Sequence, residues 1–191
     1  MTDKTPAKVD AAADPNDAQL AAVLSVDVPG DRNHAGVFAQ RTLKNFRHIK
    51  NSRVNGNTDV HVVTQLANSL LGLVILPFSG DKFGPDLDRP IGDFHWCKWV
   101  ILEDNPTLGG TRTKVVKPVT TTLRHLVNHL RNAAAHRRIS FSTDGPYPRG
   151  VTLTALDAYS NTGPVYWRAH INGADLEAFC IGLSASIVNT V

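Results

Sequence analysis

The sequence predicts a mainly α protein, a four-helix bundle with a small three-stranded antiparallel β-meander before the last helix. Apolar residues recur at spacings of three and four in four separate stretches. Between the third and fourth of these the period switches to two. Hydrophobic residues make up 42% of 191, and a chain of that length supports one real core rather than two large ones.

The first helix is expected over about 35–53, where Ala39, Leu43, Phe46 and Ile49 fall on one side. Asn55-Gly56 breaks it. Thr58 is placed to cap a second helix over about 59–76, with Val62, Leu66, Leu70, Leu73 and Val74 inward and Pro77 as its stop. The third runs over about 120–137 on a stripe of Leu123, Leu126, Val127, Leu130 and Ala134. The meander follows. Ile139–Phe141 is a short strand, Val151, Leu153 and Ala155 alternate, and so do Val165, Trp167, Ala169 and Ile171. Asn172 caps the last helix, about 174–189, whose inward side holds Leu176, Phe179, Cys180, Leu183 and Ile187.

Two regions resist this scheme. Residues 1–30, rich in Ala, Asp and Pro, read as a flexible acidic tail with a short ordered piece near Gln19–Val28, leaving 31–191 as one helical domain. Residues 79–118 carry Gly84-Pro85, Pro90, Pro106, Gly109-Gly110 and Pro118 and read as an irregular insertion. Phe94, Trp96, Trp99, Val100 and Ile101 within it need burial, so a short ordered element is expected there, though its place in the fold is not determined.

Composition narrows the function classes. Two cysteines, Cys97 and Cys180, exclude a disulfide scaffold and fit a reducing, cytoplasmic setting. The longest apolar run, Leu66–Phe78, is short and holds Asn68 and Ser69, so no membrane span is expected, and the N-terminus has no apolar stretch of a secretory signal. Residues 1–31 set Lys4 and Lys8 against six aspartates, a net of −4, which leaves +7 on the remainder. Arg32, Arg41, Lys44, Arg47, Lys50 and Arg53 lie in a stretch without any acid. Such a basic body is a weak pointer to a polyanionic partner, and a solvated helix face is the more ordinary explanation of the run.

Chemistry concentrates in the third helix, Arg124-His125-Leu-Val-Asn128-His129-Leu-Arg131-Asn132-Ala-Ala-Ala-His136-Arg137-Arg138. At 100° per residue, His125, His129, Asn132 and His136 share one stripe, and Arg124, Asn128 and Arg131 a second. A metal site from the histidines lacks an acidic or thiol ligand on the helix, and the flanking arginines repel a cation. A purely structural alternative is that His136, Arg137 and Arg138 complement the helix dipole. A third reading is RNA cleavage without metal. A histidine of ordinary pKa near ~6.5 is a natural base for a ribose 2′-OH, and arginine holds phosphate with two parallel hydrogen bonds.

Arg131-Asn132-Ala-Ala-Ala-His136 resembles the Arg-polar-x-x-x-His motif of the HEPN superfamily. With 12 Arg, 8 His and 13 Asn, the Arg–His spacing alone is expected about 0.5 times by chance, and with the adjacent Asn about 0.03 times. Arg41–Phe46, Val63–Leu73, the motif followed by Ile139–Phe141, and Trp167 before a final amphipathic helix extend the resemblance to a plasmid- and genome-borne HEPN subgroup. An overlapping match, Arg124 to His129, lies one heptad earlier, and the later one is preferred because the family motif is followed by a chain exit.

The resemblance implies a metal-independent endoribonuclease of toxin–antitoxin or phage-defence type, with no cofactor, in which Arg131, Asn132 and His136 are catalytic. It implies RNA and a second copy of the chain as partners, with an antitoxin or defence-system protein as a further candidate. Arg124, Asn128, Lys44 and Arg47 are then expected to bind substrate, and Asn68 on the second helix either to satisfy a neighbouring backbone as a buried amide or to support the motif. The alternatives are a non-catalytic RNA- or nucleotide-binding HEPN domain and a structural helical partner-binding protein.

Overall fold

A computed structural model describes residues 15–25, 34–56, 61–75, 85–105, 119–144, 150–158 and 163–188. These form five α-helices and four strands: α1 (Pro15–Ser25), α2 (His34–Val54), α3 (Val62–Ile75), β1 (Val100–Asp104), α4 (Leu123–Ala135), β2 (Ile139–Thr143), β3 (Val151–Ala158), β4 (Val165–Asn172) and α5 (Gly173–Val188). Among the described residues no helix is long and apolar enough to cross a membrane.

The four expected helices are α2 to α5, and the residues expected to face inward do so: Leu43, Phe46, Leu66, Leu70, Leu126, Leu130, Phe179 and Leu183 are all buried. Asn172 caps α5 as expected, its Oδ1 accepting the Asp175 amide at 2.9 Å. Thr58, expected to cap α3, lies outside the described residues, and α4 is capped by Thr122, which accepts from the His125 amide.

The sheet has four strands where three were expected, antiparallel throughout in the order β1-β4-β3-β2. The added strand comes from the stretch expected to be an irregular insertion. Its sequence, Val100-Ile-Leu-Glu-Asp104, does not alternate, and Val100 and Leu102 stay exposed, so no local period marks it as a strand. Pairing with β4 supplies the order, and an Arg168–Glu103 ion pair at 3.0 Å joins the two strands. The aromatic residues before it find their burial on α5. Trp96 and Trp99 each meet Phe179 edge-on at 5.7 Å between ring centres. Gly182 permits this, because a Cβ there would collide with the Trp96 indole.

The second correction is at the N-terminus. The short ordered piece expected near Gln19–Val28 is a helix that begins earlier, α1 over Pro15–Ser25, with Leu20 and Val23 buried against Leu43, Ile181 and Val188. Residues 1–14 of the expected tail lie outside the described residues. Lys50 ties this helix down. Its ammonium reaches Asp17 of α1 at 3.2 Å and the buried Glu177 of α5 at 2.7 Å, so one member of the basic run is engaged in holding three helices together.

α4 lies against β3 and α3, and α3 separates it from α2. The inward face of β3 carries Val151, Leu153, Ala155 and Asp157 in strict alternation, so a carboxylate occupies the last core position. That position faces the C-terminal half of α4.

Candidate active site

Buried polar groups define the back of the site. Asp157 is 1% exposed. One of its oxygens, Oδ2, is 3.0 Å from His129 Nδ1 and accepts the Asn132 side-chain amide at 2.9 Å. An ionised carboxylate carries no hydrogen, so His129 donates through Nδ1–H. The His129 ring also lies flat on Trp167, 4.8 Å between centres and 9° between planes, and Trp167 is the residue opposite Asp157 on β4. His129, which shares a stripe with His125, Asn132 and His136, is thus a core residue, fixed by one hydrogen bond and one stacked ring. Its exit from water is offset by the carboxylate, as a buried polar group requires.

The end of α4 is held from the same strand. Arg137 has φ of 57°, and its amide bonds Ala134 while the Arg138 amide bonds Ala133. This is a Schellman termination with arginine in the left-handed position that glycine normally takes, a conformation that costs an L-residue about 1–2 kcal/mol. His136 is the C-cap, half outside the helix, with φ −99° and ψ 12°. β3 then grips the turn. The Leu156 amide bonds the Arg138 carbonyl at 3.0 Å, and Arg138 Nη1 donates to the Ala158 carbonyl at 2.8 Å. Between these two residues, Asp157 holds Asn132 one turn back along the helix.

This bonding separates the candidate residues of α4. Arg124, expected to bind substrate, is paired through Nε and Nη2 with Asp88 at 2.6 and 3.1 Å, and that hydrogen bond holds the Asp88 carboxyl below its ordinary value. Arg138 bonds backbone. Asn132, expected either to bond a phosphate oxygen or to orient His136, has its amide committed to Asp157. His125 Nδ1 lies 3.4 Å from the Thr121 amide that donates to it, so neither member of the His125/His129 pair presents Nδ1 to a metal. Arg131, His136 and Arg137 are exposed, and among the described residues their side chains have no hydrogen-bond or ion-pair partner. Asn128 is exposed on the same helix.

The remaining expectations lie elsewhere. Lys44 and Arg47 are exposed on α2, with α3 between them and the motif. Asn68 is exposed on α3 and makes no bond to the motif among the described residues, so the expected support from the second helix is not found. That support comes from Asp157, which the sequence reading missed. The signal was present: the alternation of Val151, Leu153 and Ala155 continues to 157 and places an acid on a core face.

A family model described as HEPN pEK499 p136 matches residues 24–191, and the chain belongs to that family. No curated protein and no solved structure matches the chain.

Proposed function

We propose that the protein is a metal-independent endoribonuclease and that Arg131 and His136 carry the reaction. The observation that supports this most is the division of polar side chains on α4. His129, Asn132 and Arg138 serve the fold, whereas Arg131 and His136 stand exposed and unpartnered among the described residues on a turn anchored to β3. A rigid support under solvent-facing groups is what a reaction with a demanding geometry needs.

In the proposed reaction His136 takes the proton of a ribose 2′-OH. The 2′ oxygen attacks the adjacent phosphorus, the bond from phosphorus to the 5′ oxygen breaks, and a proton from the motif imidazolium or from water completes the leaving hydroxyl. The products are a 2′,3′-cyclic phosphate and a 5′-hydroxyl. Arg131 neutralises charge as it builds on the non-bridging oxygens. Asn132 acts indirectly, by fixing the turn that carries His136. The two motif residues are five apart, about 7.5 Å along the axis and divergent around it, so a second copy of the chain completes the groove around the scissile phosphate.

The test is single-turnover cleavage of a labelled RNA beside a binding titration. His136→Ala should lower cleavage by about 10²–10⁴ with binding retained. Arg131→Ala should weaken both. Binding without cleavage by the unaltered protein under any condition would make it an RNA-binding HEPN domain instead.

A further inference from the structure

We propose that the pocket beside the motif is a nucleobase subsite for single-stranded RNA, with Arg137 and Phe141 in its lining. The inference rests on reading RNA as the ligand of this face. The pocket has a volume of about 240 Å³ and lies between α3, the last turn of α4 and β2. Ala67, Leu70, Leu71 and Ala134 form apolar walls, Phe141 contributes an aromatic ring, and Arg137 is the one charged residue of the lining.

Each feature points to the same ligand. A slot with apolar walls, one ring and one cation accepts a flat π-system that carries a phosphate. Bases of single-stranded RNA are bound by stacking on aromatic rings and on guanidinium planes. Phe141 is 37% exposed and lines the pocket, so part of its side chain is open to a ligand seated there. Arg137 adds the independent argument. It is the non-glycine residue with positive φ among the described residues, it occupies the site where glycine is cheapest, and it pairs with nothing described. A backbone outlier that retains a long cation beside a reactive turn points to a role for that side chain. Position supplies the rest. Ala134 and Arg137 line the pocket and flank His136 in the chain, so a base seated here lies within one helical turn of the motif along α4.

The experiment uses the full chain and two fluorescein-labelled 12-mers, a 2′-O-methyl RNA of mixed sequence that cannot be cleaved and its abasic counterpart. Affinities are read by anisotropy at one fixed salt concentration. The unaltered protein should prefer the base-bearing strand by roughly tenfold or more, the usual scale for one stacked base. Ala67→Phe, which fills the pocket, and Phe141→Ala, which changes a partly exposed strand residue, should each collapse that preference while leaving abasic binding unchanged. Arg137→Gly should raise the melting temperature by removing the left-handed arginine, yet weaken binding of both strands; a merely structural Arg137 predicts the higher melting temperature with binding unaltered. Equal affinity of the unaltered protein for the two strands would overturn the proposal, as would an undiminished preference in both Ala67→Phe and Phe141→Ala. So would a loss that tracks dissociation of a dimer in light scattering of the same samples, which would make a second copy the occupant. Cleavage of an unmodified 12-mer, run alongside, separates the two readings. Base preference without cleavage supports the subsite and sinks the nuclease, and cleavage without base preference does the reverse.

Discussion

Asp157→Ala is the perturbation that most directly probes how the fold serves the motif. The substitution removes an acceptor shared by His129 at 3.0 Å and Asn132 at 2.9 Å. Hydrogen bonds to a charged group are worth about 1.5–3 kcal/mol each, and a donor left buried without a partner adds its desolvation cost. The two losses are unequal. Asn132 is half-buried and its amide regains water, whereas His129 is 4% exposed between the helix and Trp167 and does not. A total near 3–4 kcal/mol follows. For a chain of this size that lowers the melting temperature by roughly 10 °C. Thermal and urea melts by circular dichroism on Asp157→Ala, Asn132→Ala and the double variant form a cycle with an expected coupling of about 1 kcal/mol or more. Cleavage at a temperature where all three remain folded should fall with the loss of Asn132's anchor, because the turn under His136 is then held by β3 backbone bonds alone. A loss of under about 2 °C for Asp157→Ala, or strict additivity in the cycle, would refute the argument that this carboxylate organises the turn.

Further outcomes can be checked with the same preparations. Cleavage should persist in excess EDTA, and loss on chelation with recovery on adding a divalent ion would replace the no-metal mechanism. Light scattering at micromolar concentration should give the mass of a dimer, since one copy presents Arg131 and His136 on diverging directions; an active monomer would remove the composite groove. Thiol reagents at neutral pH should leave the native protein unmodified, since burial pushes the Cys97 thiol up to about 11 and raises that of Cys180 as well. Rapid labelling of Cys97 without prior unfolding would show that its surroundings open.

Where the determining interaction is local, the sequence alone settles the element. The 3.6-residue period of α2 to α5 and the two-residue period of β3 and β4 report which side of each element must leave water, and the structure buries those sides. Arg131-Asn132-x-x-x-His136 is likewise a contiguous pattern, readable without any knowledge of packing. Tertiary structure alone decided what depends on residues distant in sequence. Five residues without alternation became β1 because β4 offered an open edge. Leu20 and Val23 are too few to announce a helix that exists by packing on α2 and α5. Two histidines seven residues apart share one stripe of the helix, and it was Asp157 on β3, 28 residues beyond the first of them, that holds His129 in the core while His136 stays in solvent. Helical periodicity shows which residues share a face. Only the partner on the opposite element decides whether a polar group on that face is buried and bonded or left exposed for chemistry.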